Sequence, residues 1–325
     1  MTRVLFLLGA ALALALLASL LLGSVALPLP RVLAALAGSG SEGDGLVVWQ
    51  IRLPRALAAA LVGAALGMSG AALQGLLRNP LAEPGILGVS ASAALFATFV
   101  LYFGLAATGP LVLPLAAVAG ALVATGLVAF AALRTRSVVT LILIGVGLSS
   151  FAAALMALMM NLAPNPFSLA DMVNWTLGTV ANRSLEDLAF AAPFLFAGIA
   201  ILLAGRSGLA VLALGEETGE GLGLDLGRQR LGVIIGAGLA TGAAVALAGA
   251  IGFVGIVAPH LVRPFLRYDP ARLLLPSALL GALLLVLADV GVRLVPTDSE
   301  LKLGVLASLI GAPVFVWIAA RRRLA

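Results

Sequence analysis

The chain has 325 residues, of which 62% are hydrophobic and only 10% are charged. Soluble domains carry about a quarter charged residues, and a soluble protein of this length could not hide so much apolar surface. The sequence therefore predicts a protein that crosses a lipid bilayer many times. The absence of cysteine and the presence of a single histidine, His260, exclude a disulfide framework, a thiolate metal site, a cysteine nucleophile and a histidine cluster. The formal charge of +5 comes from basic residues scattered between apolar runs, which favours membrane orientation over nucleic-acid binding.

Ten stretches of the sequence are candidate membrane helices, for which roughly 20 apolar residues are needed. The first resembles a signal peptide, but its apolar run is longer than usual, which favours an uncleaved helix. The third and eighth are short or interrupted by glycine and proline. We therefore predict an all-α polytopic membrane protein with a single transmembrane domain over residues 1–325. Its helices are predicted near residues 4–27, 54–77, 86–105, 111–133, 138–161, 187–205, 231–250, 252–266, 273–295 and 303–320.

The basic residues predict which way these helices run. With the N-terminus inside the cell, about twice as many arginines and lysines lie near inner helix ends as near outer ends, as the positive-inside rule requires. Both termini are therefore predicted to be cytoplasmic. The same topology places the charged stretch 206–230 in the cytoplasm, where ATP is.

Residues 206–230 are a charged interruption between two apolar halves. The stretch is too polar to enter a bilayer and too short to be a domain, which is typical of a docking element that another protein grips. Its glycines Gly219, Gly221 and Gly223 superficially resemble a phosphate-binding loop. No predicted strand precedes them, so nucleotide binding at this place is disfavoured.

Three sequence pairs recur in the same order in the two halves. In the predicted topology each first copy runs opposite to its second copy, as in the inverted repeats of transporters. Chance similarity between Gly/Ala-rich helices is the alternative. The pairs are residues 63–72 with 236–244, Leu113-Pro-Leu-Ala with Leu275-Pro-Ser-Ala, and Ile144-Gly-Val with Leu303-Gly-Val.

The source of energy is predicted from what the sequence lacks. The only lysine, Lys302, lies between two leucines, so the chain has no P-loop and is not an ATPase of that kind. An ion-coupled carrier usually places acidic residues inside the membrane, and only Asp289 or Glu83 could serve here. Transport powered by a separate ATPase is favoured, while an ion-coupled carrier, an exporter and a structural scaffold stay open as alternatives.

Several long motifs resemble those of the permease subunits of iron-chelate and cobalamin ABC importers, the FecCD/BtuC-like family. The resemblance runs from about residue 46 to the end of the sequence. It implies the type II importer permease fold, with ten helices in each subunit. The motifs are Trp49-Gln-Ile-Arg-Leu-Pro-Arg55, Gln74, Arg78-Asn-Pro-Leu-Ala-Glu-Pro-Gly-Ile-Leu-Gly-Val-Ser90, Ala213-Leu-Gly-Glu-Glu217, Gly249-Ala-Ile-Gly-Phe-Val-Gly-Ile-Val-Ala-Pro-His-Leu-Val-Arg263 and Gly311-Ala-Pro-Val-Phe315.

The resemblance implies the partners. It implies an inner-membrane importer driven by two cytoplasmic ATPase subunits that use ATP and Mg²⁺, while this chain binds no cofactor, holds no metal and has no catalytic residue. A binding protein would deliver the cargo from outside, and a second permease copy would complete a homodimer within the lipid. No nucleic-acid partner is implied. The implied cargo is an iron chelate, such as a ferric siderophore or haem, with cobalamin as the alternative.

The resemblance also assigns sites. Arg52 and Arg293 match positions at which the cobalamin permease presents arginines to glutamates of its binding protein. Lys302 stands where the family often has proline, so the outer gate is expected to differ here. The loop that couples to the ATPase is implied to contain Leu214, Gly215, Glu216, Glu217, Thr218, Gly219, Leu222 and Gly223.

The translocation path is implied to run along the helices near 138–161 and 303–320. These walls would be apolar and small in this sequence, which suits a bulky cargo because tight binding would trap it. The sparse polar groups of the path would be Ser149, Ser150, Asn161 and Ser308.

Overall fold

All secondary structure in the described part of the chain is helical. The structure is a computed structural model that describes residues 1–23, 27–135, 137–295 and 300–321, with side chains as far as Val316. The α-helices are α1 Thr2–Leu21, α2 Leu29–Leu36, α3 Glu42–Leu46, α4 Leu53–Leu76, α5 Val89–Tyr102, α6 Val112–Arg134, α7 Val138–Asn161, α8 Pro166–Thr176, α9 Leu185–Ala204, α10 Arg206–Leu212, α11 Glu216–Gly221, α12 Leu226–Ala248, α13 Val254–Val262, α14 Pro270–Leu294 and α15 Leu303–Arg321.

The all-α membrane class predicted from the sequence is confirmed. Seven helical stretches in the described residues are long and apolar enough to cross a membrane, and α5, α13 and α15 supply three shorter apolar ones. These ten segments coincide with the ten predicted positions. A π-helical turn, Val47–Arg52, joins α3 to α4 without a break.

The boundaries differ from the predicted ones where local capping decides them. Helix α12 begins five residues earlier than predicted, because the Asp225 carboxylate accepts the backbone N–H of Arg228 at 3.0 Å. The predicted loop 206–230 contains two short helices, α10 and α11. Helix α8 was not expected from hydropathy, although Asn165 caps it and Pro166 opens it.

The two halves of the chain pack as an inverted repeat would. Helix α4 packs most extensively on α14, and its repeat partner α12 packs on α6, the repeat partner of α14. Both contacts depend on glycine. A Cβ at Gly63 would collide with the Gly281 carbonyl oxygen, and a Cβ at Gly242 would collide with Ala121. Small residues let these backbones approach closely, which is how helices associate in lipid.

The short helices α5 and α13 are entered from irregular segments that dip between the long helices. Each begins at a residue with left-handed backbone, Gly88 (φ 78°) for α5 and Phe253 (φ 65°) for α13. The packing of Gly255 beneath the Leu66 carbonyl oxygen places the start of α13 beside the middle of α4. Broken helices at this depth are typical of transporter binding sites.

The bundle has two ends, which we name by the predicted orientation. The predicted outer end holds the end of α1, the start of α4, the end of α14 and the start of α15. The predicted inner end holds α10, α11 and the start of α12, and there Gln229 Nε2 donates to the Gly205 carbonyl oxygen at 2.9 Å.

Candidate functional site

Four charged side chains form a network at the predicted outer end, which we call the outer charge cluster: Arg55, Asp289, Arg293 and Glu300. Arg55 Nε donates to Asp289 Oδ1 at 2.8 Å, while its two terminal nitrogens bond both carboxylate oxygens of Glu300. Arg293 Nε lies 3.2 Å from Asp289 Oδ2. Two arginines and two carboxylates therefore balance one another, with Asp289 shared between the two cations.

The predicted docking residues, Arg52 and Arg293, both hold the C-terminal end of α1. Arg52 donates to the carbonyl oxygens of Leu20 and Leu21 at 2.7 and 3.0 Å. Arg293 donates to Ser19 Oγ at 2.7 Å and to the Ser19 carbonyl oxygen at 3.1 Å. The last carbonyls of a helix lack partners within it and carry partial negative charge. In this conformation both guanidinium groups are thus occupied within the chain.

The exposure of these arginines bears on the docking prediction. Arg52 is 5% exposed, and the side chain of Arg293 is 9% exposed. Neither guanidinium projects as an open surface group in the single chain. A partner would have to displace the α1 carbonyls or approach the exposed rim of these side chains, and the docking role stays a prediction.

A small helical hairpin precedes the π-helical turn that carries Arg52. Arg31 of α2 pairs with Asp44 of α3, with 2.6 Å between Nη2 and Oδ1. Hydrogen bonding to Asp44 raises the pKa of the exposed Arg31 guanidinium above its ordinary value. Trp49 Nε1 donates to the Ala35 carbonyl oxygen at 3.1 Å. These contacts fix the hairpin against the π-helical turn that carries Arg52.

The predicted coupling loop forms a short helical segment at the predicted inner end, which we call the coupling segment (residues 212–224). Gly215 precedes α11 with φ of 112°, a conformation that favours glycine. Glu216 Oε1 accepts from Arg230 Nη2 at 2.7 Å, which ties α11 to α12. Leu214 and Leu222 are 64% and 65% exposed. Two leucines thus project on either side of an acidic helix start.

The other residues of the coupling segment take structural or surface positions. Glu217 and Thr218 are exposed in α11, whereas Gly219 is buried against Leu224. Gly223 has φ of 85° and turns the chain toward α12. The predicted residues therefore belong to one compact element.

A cavity of about 690 Å³ opens between α15 and the two dipping segments. Its wall is mostly apolar and small. The polar side chains among its lining residues are Glu83, Ser90, Thr176 and Ser308. A cargo could sit here within the span of the helices.

The four predicted path residues do not lie together. Ser308 lines the cavity and donates to the Gly304 carbonyl oxygen at 2.8 Å. Ser149 donates to the Gly85 carbonyl oxygen at 3.1 Å, which places it behind the dipping segment. Ser150 and Asn161 are exposed on α7 and are not among the cavity-lining residues. Ser150 and Asn161 could line a path only if another chain packed against the face of α7 on which they lie.

Glu83 carries the carboxylate of the cavity wall. Its Oε2 accepts the backbone N–H of Phe253 at 3.2 Å, so it caps the start of α13 from the other half of the chain. The Phe253 ring meets the Phe315 ring edge-on, with 6.4 Å between centroids. Glu83 therefore joins the two repeats at the cavity.

Two residues of the outer charge cluster were missed as site residues by the sequence analysis. Arg55 ends one of the quoted motifs, but Glu300 lies outside all of them, and 245 residues separate the two in the chain. Charge at the ends of apolar helices was the available signal. Without a fold, that signal does not say which ends meet.

No group of three or more His, Cys, Asp or Glu that could hold a metal occurs among the described residues.

These features define a polytopic membrane permease. The chain matches the model of the FecCD transport family over residues 11–321 and belongs to that family. It is therefore the transmembrane permease subunit of an ABC importer, a multi-pass inner-membrane protein, and the ATPase of such importers is a separate subunit.

The chain is similar to several known proteins along most of its length. It is 42% identical to the vitamin B12 import system permease protein BtuC of Vibrio cholerae over 277 residues, covering 85% of this chain and 83% of the relative. It is 40% identical to the uncharacterized ABC transporter permease protein YvrB of Bacillus subtilis, and the alignment covers 92% of this chain and 88% of the relative. A solved structure of a metal-chelate type ABC transporter in an inward-facing conformation aligns with a TM-score of 0.89 and 31% identity, covering 99% of this chain and all of that one. The fold is thus that of a type II ABC importer permease.

Proposed function

We propose that this chain forms the membrane path of an ATP-driven importer for a bulky metal chelate. The observation that carries the proposal is the cavity of about 690 Å³ between α15 and the two dipping segments, walled mainly by small and apolar groups. A wall of this kind offers few fixed hydrogen bonds, so a large cargo can pass without being trapped. The family assignment supports the same direction of transport.

The cargo we propose first is cobalamin. The sequence alone favoured an iron chelate, either a ferric siderophore or haem, with cobalamin as the alternative. The 42% identity to a vitamin B12 import permease now supports cobalamin. The iron chelate is retained as the second candidate, because the structurally similar transporter is of the metal-chelate type.

In the proposed mechanism, two ATPase subunits drive the movement from the cytoplasm using ATP and Mg²⁺. Leu214 and Leu222 would enter an apolar cleft of the ATPase, since exposed leucines flanking a short helix can bury area without rearranging the fold. The Glu216–Arg230 pair would pass the resulting displacement to α12. This chain makes no change in covalent bonds.

A second permease copy is proposed to complete the path. Helix α7 has only 17% of its most apolar window buried within the chain. Exposed apolar side chains on α7 and α15 include Leu143, Phe151, Leu309 and Ile310. A homodimer that apposes these helices would bring Ser150 and Asn161 to the same axis as the cavity and would leave the remaining apolar surface to lipid.

A binding protein is proposed to dock at Arg52 and Arg293 on the outside, with both termini of this chain in the cytoplasm. Arginine can bond a carboxylate through two N–H groups, which suits orientation as well as affinity. The partner's carboxylates would replace part of the hydrogen bonding that these residues now give to α1.

Uptake into proteoliposomes tests the proposal. The vesicles would contain this chain with its ATPase, and the binding protein would be added outside with radiolabelled cobalamin, haem or a ferric siderophore. We expect ATP-dependent uptake of cobalamin that is lost with a hydrolysis-dead ATPase. Arg52→Glu with Arg293→Glu should abolish uptake, whereas Glu42→Gln, at an exposed carboxylate of the same end, should leave it unchanged.

Two outcomes would revise the proposal. ATP-dependent uptake of haem or the siderophore instead would keep the class and change the cargo. Uptake that ignores ATP but follows an ion gradient would overturn the class in favour of an ion-coupled carrier.

A further inference from the structure

We propose that Arg55 and Glu300 are positioning residues that latch the start of α15 against α4 and α14, and that docking at Arg293 releases this latch. The inference rests on the proposed function, since it concerns how a partner at the outer end opens the path. It assigns a positioning role to two charged residues to which the docking proposed above gives none.

The latch lies where α15 begins. Glu300 comes three residues before the first residue of α15, and Arg55 lies in the first turn of α4. Both carboxylate oxygens of Glu300 bond the Arg55 guanidinium, one of them at 3.0 Å. A bidentate pair of this kind fixes the relative orientation of the two side chains as well as the distance between them. Further along, α15 lines the cavity through Ser308 and Ala312, so the position of its start affects the shape of the path.

The latch is continuous with the proposed docking residue. Asp289 accepts a hydrogen bond from Arg55 through Oδ1 at 2.8 Å and forms an ion pair with Arg293, whose Nε lies 3.2 Å from Oδ2. Asp289 therefore divides its charge between two arginines, while Arg52 lies nearby on the same end of α1. A docking carboxylate placed on Arg293 would compete with Asp289 for that arginine, and Asp289 would then pair more fully with Arg55.

Exposure decides which carboxylate responds. The side chain of Asp289 is 1% exposed, whereas that of Glu300 is 40% exposed. A buried charge cannot leave its partners without a large desolvation penalty, but a partly exposed one can move into water at little cost. When Asp289 pairs more fully with Arg55, Glu300 is therefore the carboxylate that separates from Arg55, while Arg55 keeps Asp289. The start of α15 is then free to move.

The labelling rate of a buried cysteine measures this release. The native sequence has no cysteine, and Leu303, the first residue of α15, is 2% exposed. We would place Leu303→Cys in the otherwise native chain in nanodiscs and follow its reaction with a small thiol reagent. The measurement needs neither ATPase nor cargo, so its failure is distinguishable from a failure of the uptake experiment.

We expect Glu300→Gln to raise the labelling rate about fivefold, as the loss of one partly exposed ion pair would. Arg55→Lys, which keeps the positive charge but cannot form the two parallel hydrogen bonds to Glu300, should give a smaller rise. Glu42→Gln is the matched control and should have no effect. Leu209→Cys, at a fully buried position of the predicted inner end, should stay slow in every variant and report that the fold is intact.

Addition of the binding protein should accelerate labelling of Leu303→Cys in the native background but not in Arg293→Gln. An unchanged labelling rate in Glu300→Gln, with Leu209→Cys still protected, would overturn the latch. Acceleration by the binding protein that persists in Arg293→Gln would overturn the relay through Arg293. A rise at Leu209 equal to the rise at Leu303 would mean general unfolding and would also count against the proposal.

Discussion

The two ends of the bundle use charge in opposite ways. At the predicted outer end, Arg55 and Arg293 both pair with Asp289, and these three side chains are no more than 9% exposed. At the predicted inner end, Glu217 is exposed and Leu214 and Leu222 project from the coupling segment. A buried charge network is costly to alter, whereas exposed groups cost little to rearrange. The outer end is therefore built to hold a conformation, and the inner end is built to receive a partner.

The largest expected effect is on the free energy of unfolding, which should respond to substitution at the outer end and not at the inner end. We expect Asp289→Asn to lower the free energy of unfolding by about 3–5 kcal/mol, because two buried arginines, Arg55 and Arg293, would lose the carboxylate that they share. Thermal unfolding in detergent would measure it. Glu217→Gln is the matched control at the inner end and should stay within about 0.5 kcal/mol of the native chain. Equal stability of the two variants would break the comparison.

The next prediction concerns the tightly packed region between the ends. We expect Gly63→Ala to destabilise the chain by about 1–3 kcal/mol, because its Cβ would strike the Gly281 carbonyl oxygen at the α4–α14 contact. Gly126→Ala, at an exposed position of α6 where a Cβ meets nothing within 4 Å, is the control. It should be neutral or stabilising by up to about 1 kcal/mol. A Gly63→Ala variant as stable as the control would contradict the close approach.

At the inner end the effect should appear in assembly rather than stability. We expect Leu222→Ser or Leu214→Ser to weaken binding of the ATPase about tenfold, since each removes an exposed apolar anchor, while the unfolding temperature stays unchanged. Titration of labelled ATPase onto the chain in nanodiscs would measure the affinity. Gly221→Ala, where a Cβ meets nothing within 4 Å, should bind normally. Unweakened binding in both serine variants would move the docking surface elsewhere.

The smallest effect is expected for the ion pair that ties the coupling segment to α12. Glu216→Gln should cost about 1 kcal/mol of unfolding free energy or less, because the Glu216 side chain is 34% exposed and water screens the pair. The same thermal assay would detect it. A cost equal to that of Asp289→Asn would mean that the inner end depends on internal pairing as strongly as the outer end does.

Much of the fold could be predicted from the sequence because lipid imposes a simple rule. A helix that crosses a bilayer must be apolar for about 20 residues, and each of the ten predicted stretches coincides with an apolar helix. The short helices α5 and α13 were indicated by their glycine and proline content. Helix α8 was missed because it is short, only moderately apolar and recognisable mainly from its cap at Asn165.

The candidate site was less accessible to sequence reasoning. The coupling segment is contiguous, so its charge pattern revealed it directly. The outer charge cluster joins residues up to 245 positions apart, and of its ion pairs only that of Asp289 with Arg293 lies within one helical turn. The bonds from Arg52 to α1 could not be foreseen, because helix ends reveal their unpaired carbonyls but not the side chain that will reach them.

The sidedness of the two ends tests the central claim most directly. Because the native sequence has no cysteine, single cysteines can replace Glu42 at the predicted outer end and Glu217 at the predicted inner end, both exposed. Cells from which the outer envelope layers have been removed, but whose inner membrane is intact, would be treated with a membrane-impermeant maleimide. We predict that Glu42→Cys is labelled at once and that Glu217→Cys is labelled only after the membrane is permeabilised. Labelling of Glu217→Cys in intact cells would contradict the account, because the coupling segment would then lie on the side without ATP.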